Sequence, residues 1–180
     1  MLNIVLFEPE IPGNTGNIMR TCVATNTKLH LIKPLGFSLE DKYIKRSGVN
    51  YIGYCDYQVY ENFDDFMDKN KDGVYYFYTR YGHKPHSDFN YTDEYNDNRN
   101  IYLIFGKEST GIPPKILKPH LDHCARIPMT DNVRALNLSN CVAIVVYEAL
   151  RQRNYESLLR NEPDKDNRGH KGDHFIEDSK

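Results

Sequence analysis

The chain has 180 residues, enough for one domain with a full hydrophobic core, and a formal net charge of −2 that gives no global attraction to a polyanion. Its four cysteines, Cys22, Cys55, Cys124 and Cys141, stand far apart with no C-x-x-C and no Cys/His cluster. That argues against a zinc site and a disulfide frame, and sets the expectation of reduced thiols, no bound metal and a cytoplasmic setting.

Leu2–Phe7 is a short apolar run of strand length, and it stands where a basic-then-apolar leader would, so neither export nor a membrane is expected. Glu8–Gly16 is rich in turn formers and reads as a loop; Asn17–Asn26 reads as a helix with Ile18, Met19, Cys22 and Val23 inward. Leu29–Lys33 is a second strand, and Ser38–Asp41 a helix start leading into Lys42, Lys45 and Arg46. Residues 51–60 hold a tyrosine-rich third strand region, Glu61–Asn70 a helix, and Val74–Tyr78 a strand by its β-branched and aromatic content. Arg80–Asn100 is polar and reads as a long loop, of the kind that is functional or disordered. Ile101–Phe105 is another strand, Gly106–Pro114 turns into a short helix ending near Lys118, and a last strand lies around Cys124–Pro128.

From Leu138 a final helix begins, capped by Asn137 or Ser139. Cys141–Tyr147 is apolar without a break, so most of its circumference avoids water, yet the segment is too short and its end too charged to span a bilayer. Burying it calls for a homodimer built on this helix; a core helix of a monomer is the other reading. Strands alternating with helices give an α/β fold, a mainly parallel sheet with helices on both faces. The domain is expected over 1–155, with 156–180 a polar, flexible tail. Charge is uneven: residues 101–153 hold seven Lys and Arg against four Asp and Glu, residues 61–100 five against nine. A local basic face for a polyanion therefore remains open.

Ligands in such sheets bind at the carboxyl ends of the strands. Gly13-Asn-Thr-Gly16 ahead of a helix could receive an anion, with Arg20 in reach; a capped helix start with an ion-paired Arg is the plainer reading. Gly106–Gly111 has P-loop-like glycine spacing, but Ile112 and Pro113 follow where Lys and Ser or Thr are needed, and Glu108 would repel a triphosphate. Thr130–Asn140 could read a base edge or simply cap a helix.

Taken together, Glu8-Pro-Glu-Ile-Pro-Gly-Asn-Thr-Gly-Asn-Ile-Met-Arg20, Leu103-Ile-Phe-Gly-Lys-Glu-Ser-Thr-Gly-Ile-Pro113, Arg126-Ile-Pro-Met129 and Arg134-Ala-Leu-Asn-Leu-Ser-Asn140 resemble the SPOUT RNA methyltransferases. Within them the chain looks most like the small, single-domain tRNA wobble-position ribose 2′-O-methyltransferases, over roughly residues 1–155. The resemblance implies a deep trefoil knot in the C-terminal half and a bent S-adenosylmethionine, the methyl donor, held by Tyr78, Gly106, Ile127, Met129, Ala135 and Leu136. It implies catalysis through Arg20 and Asn14, a homodimer through Cys141–Tyr147 with Tyr147 near its axis, and tRNA as partner, with Lys42, Lys45, Arg46 and Arg134 in a shared groove. Ala135 replaces a common Ser, and Gly13 a frequent Pro. Methylation of another RNA such as ribosomal RNA, or RNA binding without catalysis, are the other functions the same fold would allow.

Overall fold

The computed structural model describes residues 1–39 and 52–161. The strands are β1 (Leu2–Phe7), β2 (Lys28–Ile32), β3 (Tyr57–Tyr60), β4 (Val74–Tyr78), β5 (Lys84–Pro85), β6 (Ile101–Phe105) and β7 (Cys124–Arg126). The α-helices are α1 (Pro12–Thr25), α2 (Phe63–Lys69), α3 (Pro114–Leu117) and α4 (Leu138–Gln152). The strands form one sheet in the order β3-β2-β1-β6-β4-β7-β5, and every strand pairing is parallel. Every residue of the central strands β1 and β6 is buried. Their unbroken apolar runs follow from that position, because a strand covered on both faces has no solvent side to make polar.

The two faces are packed differently. On one, Leu2, Ile4, Leu6, Leu29, Leu31 and Leu103 meet Ile18, Met19 and Cys22 of α1 and Val142, Val145, Val146 and Ala149 of α4. Each large aliphatic side chain buried there contributes about 1.5–3 kcal/mol. On the other, Val5, Phe7, Phe77 and Ile104 meet Phe66 of α2 and Leu117 of α3. Asn3 and His30 are also buried and are bonded together, with His30 reaching Tyr60 as well. The expected α/β architecture is observed.

Several elements differ from their expected form. α1 starts at Pro12, five residues before Asn17, so the glycines at 13 and 16 lie inside the helix and Arg20 lies in its middle. Proline suits the first helical position, since its missing N–H has no partner there anyway. The helix ends on Asn26 in the left-handed conformation. The third strand is confined to Tyr57–Tyr60 after a 3-10 turn at Ile52–Tyr54, and the last to Cys124–Arg126.

The 80–100 segment is not a plain loop: it holds β5 and a 3-10 turn at His86–Asp88. Asn96, buried, donates to the carbonyls of Asn90 and Thr92 and accepts from the Tyr76 hydroxyl. Gln152 of α4 accepts from the Tyr91 N–H and donates to the Phe89 carbonyl. These amides satisfy backbone groups that no strand ladder reaches. The helix start at Ser38–Asp41, the basic side chains Lys42, Lys45 and Arg46, and nearly all of the expected tail lie outside the described residues.

Candidate active site

β1 and β6 are neighbours, and the segments leaving their carboxyl ends diverge to opposite faces: α1 packs on one, α3 on the other. A crevice at such a divergence is where open parallel sheets bind ligands. Here the two segments are sewn together by side chains. α1 has no side-chain cap of its own at Ile11. The Glu108 carboxylate supplies one from the other segment, accepting from the Glu10 N–H at 2.8 Å, the Ile11 N–H at 3.3 Å and the Asn14 amide at 2.9 Å. A negative group at the positive end of a helix is doubly favoured, by hydrogen bonds and by the dipole. Glu10 returns the contact, accepting from the Ser109 N–H and hydroxyl at 2.9 and 2.8 Å, and those bonds hold its carboxyl below the usual range. Lys107 pairs with Glu8 at 2.7 Å, which raises the lysine's pKa.

The third motif joins through Asn14. Its carbonyl oxygen accepts from the Asn137 amide at 2.9 Å, and Asn137 accepts in turn from the Ser139 N–H at 2.9 Å, capping α4. Of the two caps expected for α4, Asn137 is the one used. A carboxylate only accepts and a backbone N–H only donates, so the orientation of both amides along this chain is fixed. The side chain of Asn14 is thereby occupied at both ends: it holds three segments in register.

Beside this lattice lies a cavity of about 730 Å³. Of the residues the sequence points to, Asn14, Tyr78, Gly106, Ile127, Met129, Ala135 and Leu136 all line it, with Arg134. Arg20 does not: it is exposed on α1, outside the lining. Gly106 also has a reason within the chain itself. A Cβ there would lie 2.3 Å from the Gly111 carbonyl carbon and 2.5 Å from the Ile112 nitrogen, so glycine is needed for the 106–111 turn to close on itself. Tyr78 lends the cavity its ring, stacked on Phe105 at 4.8 Å, while its hydroxyl donates to Tyr91. Burial pushes that phenol well above its ordinary pKa, so it stays neutral and cannot act as a base near neutrality.

Sequence reasoning missed the turn after β4. Thr79, Arg80 and Tyr81 line the cavity, as does Arg126. The signal was available, since a turn at a strand's carboxyl end belongs with the other two, but its polar composition merged it with the long segment that follows. Among the described residues, no carboxylate forms an ion pair with Arg80, Arg126 or Arg134, and Glu108, already committed, is the one acidic group in the lining. Three unspent guanidiniums over an apolar floor of Phe105, Ile127, Met129, Leu136 and Leu138 suit a ligand with an aromatic body and an anionic partner. Among the described residues no group of three His, Cys, Asp or Glu side chains gathers as a metal would require, and no helix is long and apolar enough to cross a membrane.

Three interlocked motifs thus meet around one cavity at the strand ends of a parallel sheet, and the comparisons give the family: residues 1–147 match the SpoU rRNA methylase model, and the chain belongs to that family of methyltransferases. A relative from Geobacillus stearothermophilus, provisionally named a tRNA (cytidine(34)-2′-O)-methyltransferase, is 50% identical over 157 residues, covering 87% of this chain and 98% of its own. A relative from Yersinia pestis, named a tRNA (cytidine(34)-2′-O)-methyltransferase, is 44% identical over 168 residues, covering 90% of this chain and all of its own. A solved structure described in terms of 2′-OH methylation of C/U34 on tRNA superposes with a TM-score of 0.79 at 34% identity, over 87% of this chain and 98% of that one.

Proposed function

We propose that the protein methylates the ribose 2′-hydroxyl of the wobble nucleotide, cytidine or a modified uridine, in a tRNA anticodon loop, using S-adenosylmethionine. The observation that carries this is the convergence of all three motifs on one cavity, in a chain that matches relatives of that activity along nearly its whole length. The apolar floor fits an adenine and the cavity has the volume of a small-molecule site. Tyr78, Ile127, Met129, Leu136 and the backbone around Gly106 and Ala135 would hold the donor, which supplies an electrophilic methyl group on a sulfonium.

The chain's own part is positioning. No His and no free carboxylate lines the cavity among the described residues, so the lining offers no ordinary side-chain base. Bringing a hydroxyl and a methyl into line is itself worth several kcal/mol of barrier, on the order of 7–11 in the best oriented cases. Arg20 holds the phosphate beside the target ribose and polarises its hydroxyl; a guanidinium keeps its proton and does not act as the base. Asn14 acts by keeping the loops in register.

We read the assembly as a homodimer through α4. Ile144 and Tyr147 are 38% and 47% exposed on that helix, a poor arrangement for an isolated chain. Tyr147 shares a surface hollow with Val23, Ala24 and Asn26 at the end of α1, and Arg20 lies on the exposed stripe of α1 formed with Asn17 and Ala24. Pairing there sets Arg20 at the seam, where RNA would cross from one subunit to the other. We also read the C-terminal part as knotted: β7 lies between β4 and β5, although those two strands are joined directly by residues 79–83. The cysteines are free thiols, which suits the reducing cytoplasm where tRNA is modified.

Nucleoside mass spectrometry of tRNA and ribosomal RNA after incubation with the protein and S-adenosylmethionine tests the assignment. A 2′-O-methylated wobble pyrimidine in tRNA is expected; methylation confined to ribosomal RNA, or none, would overturn it. Arg20→Ala is expected to abolish turnover while calorimetric binding of S-adenosylmethionine stays close to that of the parent protein. Weakened donor binding would reject the division of labour.

A further inference from the structure

The cavity lining includes a pair of side chains that the donor contacts proposed above leave out. Arg80 lays its guanidinium over the ring of Tyr81, 4.6 Å from the centroid, and also donates a hydrogen bond to the Tyr81 hydroxyl. The tyrosine is 55% exposed. A ring this open is accessible to a ligand, and one face is already taken by a cation that no carboxylate pairs with among the described residues.

The pair is held still from below. The Thr79 N–H donates to the Ala125 carbonyl at 2.9 Å, the Gly82 N–H to the Thr79 carbonyl at 3.2 Å, and the Tyr81 N–H to the Thr79 hydroxyl at 3.3 Å. A Cβ on Gly82 would meet the Ala125 carbonyl carbon at 2.3 Å, so the turn lies flat on β7 and only glycine permits it. Three backbone anchors within four residues thus hold the turn that carries the two exposed side chains lining the cavity. Arg126, next in sequence to Ala125, and Arg134 line the same cavity, and no carboxylate pairs with either among the described residues.

An aromatic face backed by a guanidinium, flanked by further arginines, is the surface that takes an unstacked base and its phosphates. We propose that Arg80 and Tyr81 form a preassembled stacking platform for the base of the nucleotide being methylated. The inference rests on the methyltransferase reading above and deepens it: the ribose is placed by holding its base against Tyr81 while Arg126 and Arg134 take the adjoining phosphates. Stacking uses the π-face, which every base has, so a platform of this kind accepts cytidine and uridine alike. It fixes where the nucleotide sits rather than which pyrimidine it is.

The test uses the full-length protein with S-adenosylmethionine and synthetic anticodon stem-loop RNAs carrying cytidine or uridine at the target position. Tyr81→Ala is expected to raise KM for both RNAs by the same factor, on the order of ten-fold or more, with S-adenosylmethionine affinity unchanged. Tyr81→Phe keeps the ring and is expected to return KM to near the parent value. A stem-loop with fluorescent pyrrolocytidine at the target position reads the stack without turnover: its emission is quenched on binding the parent protein and the Phe variant, and much less on binding the Ala variant. A KM for Tyr81→Ala close to the parent's, a Phe variant as poor as the Ala variant, or a loss of donor binding would each overturn the platform. A parent protein that methylates neither RNA would instead overturn the methyltransferase reading, and the pyrrolocytidine signal would still report whether Tyr81 stacks on RNA.

Discussion

Two amide side chains, Asn14 and Asn70, bridge separate parts of the chain, on opposite faces of the sheet. Asn70 accepts from the Tyr102 hydroxyl at 2.7 Å and donates to the Phe66 carbonyl at 2.7 Å, more weakly to the Tyr60 hydroxyl at 3.4 Å. Its surroundings are rings: Phe66 meets Tyr60 edge-on at 5.2 Å and Tyr102 at 5.4 Å, and His30 packs on both tyrosines. Asn14 instead bridges a carboxylate and another amide, at the edge of a cavity. The first network is enclosed by aromatic packing. The second is built of charged and amide groups that define a boundary without filling it. Similar bonds therefore serve stability in one place and preorganisation in the other.

The contrast is broken most directly at Glu108. Glu108→Ala strands two backbone N–H groups and the Asn14 amide; a stability loss of about 3 kcal/mol is expected in chemical unfolding. Turnover per folded molecule is expected to fall on the order of a hundred-fold, because ångström-scale misplacement of a positioned group costs that much. If unfolding moves and turnover per folded molecule does not, the lattice is structural only.

The ring-packed side is probed by acid. His30 is 3% exposed; the Asn3 amide nitrogen donates to two carbonyls, so its oxygen accepts from Nε2 of the ring, and in the neutral ring Nδ1 accepts from the Tyr60 hydroxyl. Burial lowers its pKa from 6.5 to about 4. The unfolded chain therefore takes up a proton first as pH falls. Stability is unaffected above 6.5, declines between 6.5 and 4, and has lost roughly 3 kcal/mol once the folded ring also protonates. His30→Gln is expected to flatten that limb of the stability–pH curve, read by denaturant titration at successive pH values; an unchanged slope would remove His30 from the account.

The smallest expected effect sharpens the difference. Asn70→Ala is expected to cost about 1–2 kcal/mol of stability while turnover per folded molecule and donor affinity stay as they are. A selective loss of turnover would mean that the two faces of the sheet are not separable.

The sheet was largely legible because its strands are buried on both sides and say so in continuous apolar runs. The cavity residues were legible through the resemblance of three motifs. What stayed hidden was set by contacts distant in sequence. α1 was expected to start at Asn17 because Glu8–Gly16 is rich in turn formers, whereas the helix opens earlier with its cap supplied by Glu108. The 80–100 segment read as unstructured because its order comes from amides, Asn96 and Gln152, rather than from apolar periodicity. The need for glycine at 106 to let the 106–111 turn close was hidden too, because it comes from Gly111 and Ile112 folding back onto it.

The cap on loan from Glu108 also sets an order of events. The acceptor lies 97 residues beyond the Ile11 N–H it satisfies, so a growing chain can close most of α1 early but leaves its opening turn frayed until β6 and the segment after it are in place. Local melting in the finished protein follows the same tie: amide hydrogens at the start of α1 and in the 106–111 turn should exchange with solvent at a common opening rate, as one unit.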